Sequence, residues 1–175
     1  MRALFPGRFQ PFHLGHLQVV KWLLDRYEEL IIMIGSGQES HSPYNPFTAG
    51  ERLVMVKESL AETGIDLRKV VIFPVMESFT SKNWIRIVEM YSPHFDVIIS
   101  GNPLVYTVAK EAGYMVERVP MFNRDIYNAT RIRKLIMEND LKWMECVPKS
   151  VSQFIRDIKG DERIRDVTKN DYTED

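Results

Sequence analysis

The distribution of apolar residues along the chain predicts strands that alternate with helices. Five short apolar runs, rich in β-branched residues and bounded by polar or turn residues, are typical of buried strands. These runs are residues 3–5, 30–34, 70–73, 97–99 and 114–119. Between them, apolar residues recur every three or four positions, which is the spacing of amphipathic helices. The pattern therefore predicts a doubly wound α/β fold, with a parallel five-stranded sheet covered by helices on both faces.

Capping residues predict where several of the helices begin. Thr48 is followed three residues later by Glu51, which is the spacing of a capping box. The pair Asn102-Pro103 supplies a cap and a first helical residue, and Asn128 is placed to cap a later helix. A last amphipathic helix is predicted after Pro148.

Length, composition and charge narrow the class of protein. A chain of 175 residues with 45% hydrophobic content favours one domain, which we place over residues 1–158 with a C-terminal helix included. The segment 159–175 is mostly charged, so we expect a tail that is open to fraying. Lys and Arg number 23 against 24 Asp and Glu, so we expect no overall positive field and no nucleic-acid partner.

The sequence also indicates a soluble protein of the cytoplasm. No apolar run approaches the roughly 20 residues that span a bilayer, and the first residues carry too few apolar side chains for a signal peptide. The single Cys146 cannot form an internal disulfide, which fits a reducing compartment. We therefore expect cytoplasmic localisation and no membrane partner.

Residues 7–16, with the sequence GRFQPFHLGH, join the first predicted strand to the first predicted helix. His13 and His16 stand three residues apart at the helix start, so their side chains share one face of its first turn. That turn also carries unpaired backbone N–H groups and the positive end of the helix dipole, which together with two imidazoles favour a phosphate. Gly15 leaves room for a base or a phosphate to approach the backbone.

Two other interpretations of this histidine pair stay open. In the first, His13 caps the helix while His16 is packed or solvated. In the second, the pair binds a metal ion, which usually requires a third ligand. His41, His94 and Cys146 have no spacing that nominates them as that ligand, so we predict no metal site in the chain.

A glycine-rich segment at residues 35–40 imitates the start of a dinucleotide-binding fingerprint. The third glycine of that fingerprint is replaced by Ser40, and Pro43 follows where a helix should open. An NAD-dependent oxidoreductase is therefore disfavoured. The Walker A motif is absent from the sequence, which excludes a P-loop ATPase.

The His-x-Gly-His arrangement, placed after a strand and the loop at residues 7–12, resembles the signature of the nucleotidyltransferase superfamily that includes adenylyl- and cytidylyltransferases. The superfamily's second signature, Ser-x-Thr-x-x-Arg at a helix start, is similar to residues 128–133. The resemblance implies that Thr130 and Arg133 bind a triphosphate. Asn128 replaces the usual Ser, so a role that rests on that hydroxyl does not carry over.

Further segments narrow the resemblance to the archaeal type of nicotinamide-nucleotide adenylyltransferase. These segments are residues 40–52, Trp84 and residues 100–105, and the similarity extends from residue 2 to about residue 158. Such Rossmann-like enzymes join nicotinamide mononucleotide to the AMP part of ATP, forming NAD and pyrophosphate. The resemblance implies this reaction, Mg²⁺ as the cation that accompanies ATP, and a homo-oligomer, since hexamers are common in the family.

The resemblance also implies the residues of two substrate sites. Phosphate transfer would depend on Arg8, His13, His16 and Arg133. The ATP site would comprise Pro6, Gly7, Arg8, His13, Gly15, His16, Gly101, Asn102, Arg124, Tyr127, Asn128, Thr130 and Arg133. The mononucleotide site would comprise Ser36, Glu77 and Trp84.

Trp84 and Arg52 each have two interpretations. An indole face can stack on the electron-poor nicotinamide ring, but a tryptophan in a helix is equally common in a core, and the resemblance favours stacking. Arg52 lies inside the helix predicted after Thr48, and the structural interpretation is favoured over contact with a ligand.

Other functions in the same superfamily differ only in the acceptor. Pantetheine phosphate, flavin mononucleotide and a sugar or glycerol phosphate are the competing acceptors, with ATP or CTP as donor. A non-catalytic nucleotide sensor is the alternative from a different class.

Overall fold

The computed structural model describes residues 1–76, 83–120 and 122–170. Its strands are β1 (Arg2–Gly7), β2 (Glu29–Ile34), β3 (Val70–Pro74), β4 (Val97–Ile99) and β5 (Met115–Glu117). Its helices are α1 (Leu14–Leu24), α2 (Ala49–Glu62), α3 (Trp84–Tyr91), α4 (Pro103–Glu111), α5 (Ala129–Met137), α6 (Lys149–Asp157) and α7 (Gly160–Asn170). Two short 3-10 helices cover Leu67–Lys69 and Leu141–Cys146. All five predicted strands are confirmed, although β5 is shorter than predicted.

The five strands form one sheet in the order β3-β2-β1-β4-β5, and every neighbouring pair is parallel. The chain builds outward from β1 to β3 on one side and returns to the other side of β1 with β4. In such a doubly wound sheet, the connections after the two central strands leave on opposite faces and open a crevice at the carboxyl ends of the strands. The predicted fold class is confirmed.

Alternate residues of each strand supply the two faces of the core. Ala3 and Phe5 of β1 pack in a cluster with residues of α1, α2, α5 and α6, whereas Leu4 packs with residues of α3 and α4. Because both faces are covered by helices, the strands are apolar at nearly every position rather than at every second one. The continuous apolar runs of the sequence follow from this burial.

The predicted helix caps are present. Thr48 and Glu51 form a reciprocal capping box at the start of α2. The side chain of Asn102 accepts from the N–H of Leu104 at 2.9 Å, with Pro103 as the first residue of α4. These local bonds satisfy backbone N–H groups that the first turn of a helix leaves without partners.

The expectation of a charged tail over residues 159–175 is corrected for residues 160–170, which are helical, while residues 171–175 lie outside the described residues. The helix is α7, whose Ile164 is 1% exposed and packs in the core. The Arg163 guanidinium also donates to both carboxylate oxygens of Glu51, at 2.7 and 2.9 Å. Local composition does not predict this helix, because contacts with distant segments, including the pair with Glu51 of α2, hold it in place.

None of the helices in the described ranges is long and apolar enough to cross a bilayer. The longest of them, α2, has 14 residues, against the roughly 20 that a membrane span requires.

Candidate active site

A cavity of about 560 Å³ opens at the carboxyl ends of β1 and β4. Its volume is within the usual range for small-molecule sites. Three arginines and two histidines line it, namely Arg8, Arg124, Arg133, His13 and His16. No Asp or Glu is among the described residues of its wall. The three guanidinium groups produce a positive potential, and the histidine rings add hydrogen-bond donors, so the lining favours an anionic ligand.

Every residue predicted for the ATP site lines this one cavity. The sequence segments involved are the end of β1 with the loop after it, the start of α1, the loop between β4 and α4, and the loop that leads into α5. The parallel sheet brings these distant segments together at one edge. Their contact with ATP stays a prediction.

His13 and His16 cap the same helix turn. His13 is the N-cap of α1, and its Nδ1 accepts the backbone N–H of His16 at 3.3 Å. The Nδ1 of His16 accepts the backbone N–H of His13, also at 3.3 Å. Because both Nδ1 atoms accept, the hydrogen-bond pattern assigns the proton of each neutral imidazole to Nε2. The cap interpretation is therefore correct for His13, and it leaves an Nε2–H donor on each ring.

The two imidazole rings are stacked, with their centroids 3.5 Å apart and their planes 20° from parallel. Burial lowers the pKa of His13 from 6.5 to about 3. Burial, and then the nearby His13, also lower the pKa of His16 well below its usual value. Both rings are therefore neutral donors at pH 7 rather than imidazolium cations.

Gly15 lies in a tightly packed position. A Cβ at this position would lie 3.0 Å from the Cβ of Tyr127 and 3.1 Å from Nδ1 of His13. The missing side chain therefore lets the loop before α5 and the His13 ring pack against the start of α1. Room for a ligand is not needed to explain this glycine.

The second signature lies at the start of α5. The Asn128 side chain accepts from the N–H of Arg131 at 2.8 Å and donates to the carbonyl of Arg124 at 3.0 Å. Asn128 therefore acts as the helix cap and also holds the loop that carries Arg124. Its amide fulfils the capping part of the role that a serine would have.

Arg133 of α5 is buried, with 7% of its surface exposed. Its guanidinium donates to the carbonyl of Gln10 at 2.9 Å, which fastens α5 to the loop after β1. Burial lowers the pKa of Arg133, and the charge of Arg8 lowers it further. The two guanidinium charges therefore repel each other across the cavity, and a bound anion would relieve that repulsion.

Gly101 and Asn102 stand where β4 leads into α4. A Cβ at Gly101 would lie 2.9 Å from Cγ2 of Val119, so the glycine allows the loop after β5 to approach. The Asn102 side chain serves as the cap of α4. Both residues line the cavity, and Val105 and Val119 add an apolar wall beside them.

Ser36 and Trp84, two of the residues predicted for the mononucleotide, are not among the described residues that line this cavity. Ser36 follows β2 and is 5% exposed. Trp84 is the first residue of α3, is 1% exposed, and belongs to the apolar cluster that contains Leu4 and Met33. Glu77 lies outside the described residues. The position of Trp84 matches the core interpretation, and its stacking on a nicotinamide ring stays a prediction.

Gln10 lines the cavity but had no predicted role. Its side chain donates to the carbonyl of Phe47 at 2.9 Å and accepts from the N–H of Phe47 at 3.0 Å. Its own carbonyl accepts from Arg133. Gln10 is part of the recognised loop sequence, but its bonding partners lie 37 and 123 residues away, so only the fold shows its role.

The described residues contain no group of three or more His, Cys, Asp or Glu placed to hold a metal ion. Mg²⁺ in proteins is usually bound through one or two carboxylates together with substrate phosphates. Because the described wall of the cavity has no carboxylate, the chain's own residues do not fit a dedicated Mg²⁺ site there.

Comparison with known proteins agrees with this geometry. The model of the cytidylyltransferase-like family matches residues 4–135. The chain is 63% identical to a nicotinamide-nucleotide adenylyltransferase of Sulfurisphaera tokodaii over 172 residues, which are 98% of this chain and 100% of that protein. It is 52% identical to the corresponding protein of Saccharolobus solfataricus, over 97% of this chain and 98% of that one.

A solved structure has the same fold. It is a bifunctional NMN adenylyltransferase/ADP ribose pyrophosphatase of Francisella tularensis, complexed with AMP and a manganese ion, with 25% sequence identity and a TM-score of 0.74. The alignment covers 98% of this chain but 53% of that one, so the chain spans about half of the bifunctional protein. From the family model and the nearly full-length relatives, we conclude that the chain belongs to the cytidylyltransferase-like family and, within it, to the nicotinamide-nucleotide adenylyltransferases.

Proposed function

We propose that the chain transfers AMP from ATP to nicotinamide mononucleotide, forming NAD and pyrophosphate as a step of NAD biosynthesis. The observation that carries the proposal is the cavity at the ends of β1 and β4, where five cationic or hydrogen-bond-donating side chains converge and the described wall contains no carboxylate. The relatives named above add the identity of the substrates.

The reaction requires no strong base from the protein. The second pKa of a phosphate monoester is about 6, so the mononucleotide phosphate is largely ionised at pH 7. One of its oxygens attacks the α-phosphorus of ATP, and the bond between the α-phosphorus and the bridging oxygen breaks. The electron pair of that bond leaves with pyrophosphate. Positioning and charge stabilisation are then the tasks of the site.

The structure offers donors for that stabilisation. His13 and His16 would donate through Nε2–H to the α- and β-phosphates, beside the backbone N–H groups at the start of α1. Arg8 and Arg133 would hold the β- and γ-phosphates and stabilise the departing pyrophosphate. Arg124 and Thr130 stand on the same wall and would complete the grip on the triphosphate.

A divalent cation would reach the site with ATP as part of the substrate. We propose Mg²⁺, since the triphosphate itself supplies the oxygen ligands that the described wall of the cavity does not. When bound, the cation neutralises part of the phosphate charge. No residue of the chain is assigned to it.

The acceptor is proposed to bind on the side of β2 and β3. Ser36 follows β2 there, and Trp84 begins α3 in the cluster that also holds Met33 of β2. With Glu77, these residues are proposed to select the nicotinamide ring over other acceptors.

A pyrophosphate-release assay tests the function. The purified chain is incubated with ATP or CTP, Mg²⁺ and one acceptor at a time: nicotinamide mononucleotide, pantetheine phosphate, flavin mononucleotide or glycerol phosphate. We expect release only with ATP and the nicotinamide acceptor, with NAD formed in equal amount. Release with another acceptor would identify a different transferase, and no release with any of them would favour the nucleotide sensor.

The variant His16→Ala distinguishes chemistry from binding. We expect kcat to fall by roughly 10²-fold or more, as for other removed transition-state donors, with a much smaller change in the KM for ATP. A kcat close to that of the unmodified protein would exclude His16 from catalysis.

We also propose a homo-oligomer, with a hexamer as the expected state, in the cytoplasm. Light scattering coupled to size-exclusion chromatography gives the mass in solution, and a monomer at micromolar concentration would contradict the proposed assembly.

A further inference from the structure

Arg52 of α2 is a fully buried cation. Its side chain has no exposed surface, and no carboxylate in the described part of the chain forms an ion pair with it. Burial lowers its pKa to about 10, so it still carries its charge at pH 7. The nearby charges of Glu39 and Glu51 favour the charged form, but a buried charge without a direct ion pair is costly unless its donors are bonded, so its hydrogen bonds identify what it contributes.

The guanidinium donates to four backbone carbonyls from three segments. Nε donates to Thr48 at 3.2 Å, at the start of its own helix. One terminal nitrogen donates to the carbonyl of Arg8 at 2.9 Å and to that of Gly35 at 2.8 Å. The other donates to the carbonyl of Ser36 at 3.0 Å. Arg52 therefore joins the loop that follows β1 to the loop that follows β2.

The backbone at these carbonyls is strained. Phe9, next to the Arg8 carbonyl, has a φ of 52°, and Ser36 has a φ of 50°. L-residues with side chains rarely adopt this left-handed conformation, and it persists where surrounding interactions hold it. The same guanidinium therefore holds two strained residues, one in each loop.

The two loops are those assigned to different substrates. Arg8 lines the cavity proposed for ATP, and Ser36 belongs to the proposed mononucleotide site. We propose that Arg52 is a positioning residue, which sets the ATP loop against the mononucleotide loop so that the two phosphates meet in line. This inference rests on the proposed function and adds to it a residue that touches neither substrate.

The substitution Arg52→Lys tests the proposal. A lysine keeps the charge, but its single nitrogen cannot reach carbonyls in three segments as the planar guanidinium does. The matched control is Leu60→Ala, which removes a fully buried side chain two turns further along α2, away from both loops. Thermal unfolding is measured for both variants, and assays are run at a temperature where both are folded.

If Arg52 acts by positioning, the substitution should lower turnover without weakening the binding of either substrate. ATP alone and nicotinamide mononucleotide alone, titrated by calorimetry, should bind Arg52→Lys with Kd values within threefold of the unmodified protein. With both substrates saturating, kcat should fall at least tenfold, because displacements of about 1 Å between reacting groups can cost 10²-fold in rate. Leu60→Ala should keep kcat within threefold.

Two results would overturn the inference. One is a kcat of Arg52→Lys within threefold of the unmodified protein, and the other is a fall in kcat that Leu60→Ala reproduces at an equal loss of melting temperature. If Arg52→Lys does not fold, Arg52→Gln is measured in the same way. Failure of the proposed function is distinguishable, because the unmodified protein would then form no NAD from the two substrates.

Discussion

The rings of His13 and His16 each accept the backbone N–H of the other residue, so the two histidines that line the cavity are also the two halves of a helix capping box. The arrangement uses one nitrogen of each ring for folding and leaves the other as a donor for a ligand. Two neutral donors are fixed in direction before any ligand arrives, which lowers the cost of ordering them in the transition state.

A pair of substitutions at His13 should separate its two roles. Asn is a strong N-cap residue, so His13→Asn should keep the stability of the unmodified protein to within about 0.5 kcal/mol, while His13→Ala should lose about 1 kcal/mol. Both variants lack the Nε2–H donor, so both should lose roughly 10²-fold in kcat. Urea unfolding and steady-state kinetics measure the two effects. A fully active His13→Asn would show that the ring only caps the helix.

Stability should depend on pH because of the same histidine. The folded protein does not protonate His13 until the pH approaches about 3, whereas the unfolded chain does so near the ordinary pKa of 6.5. The unfolded state therefore binds more protons between these values, and the stability present above pH 6.5 is lost as the pH falls toward 3. The slope is at most about 1.4 kcal/mol per pH unit for one histidine.

Urea unfolding at pH 7.5, 6.0 and 5.0 measures this loss of stability. These pH values lie above the range in which most carboxylates titrate. His13→Asn is the control, because it removes the titrating ring and keeps the cap. We expect the variant to lose less stability than the unmodified protein over these pH values. Parallel losses in the two proteins would contradict the assignment to His13.

The kinetics of Trp84 variants should show whether the indole contacts the acceptor. Because the indole is 1% exposed, Trp84→Ala should cost about 3–5 kcal/mol of stability by leaving a cavity. If the ring also stacks on nicotinamide, the variant should raise the KM for the mononucleotide and leave that for ATP nearly unchanged. Trp84→Phe keeps an aromatic face and should raise the KM for the mononucleotide less than Trp84→Ala does.

The control for Trp84 is Val88→Ala, which removes a fully buried side chain of the same helix and apolar cluster. It should lower stability without a selective change in either KM. Equal changes in both KM values for Trp84→Ala, matched by Val88→Ala, would assign the tryptophan to packing alone.

The Arg163–Glu51 pair should stabilise the fold through α7. Both side chains are less than one-fifth exposed, and Arg163 also donates to the carbonyl of Pro46 at 3.2 Å. Removing one partner leaves the Glu51 carboxylate poorly compensated, so Arg163→Met should cost about 1–3 kcal/mol. Arg68→Met is the matched control, since its pair with Asp66 is exposed and should contribute less than about 1 kcal/mol. Equal losses of stability in urea unfolding would show that burial of the pair is unimportant.

The sequence alone determined the parts of this protein that depend on neighbouring residues. The apolar runs of β2 and β4 predicted buried parallel strands, because such strands are covered on both faces. The caps at Thr48, Asn102 and Asn128 were predictable, since each bonds backbone groups within three residues of itself. The two signature segments indicated the family by resemblance, because each is a short run of neighbouring residues.

Only the tertiary structure decided features that rest on contacts between distant segments. Arg52 binds carbonyls 16 to 44 residues away, and Gly15 packs closely against Tyr127. The helix α7 is held by the burial of its own Ile164 and by the pair between its Arg163 and Glu51 of α2, and that pair cannot be read from the sequence of the helix. Trp84 is buried in a cluster with residues of strands that lie far from it in sequence. Burial and hydrogen bonding depend on which segments the sheet brings together, and that information is not contained in any local pattern of residues.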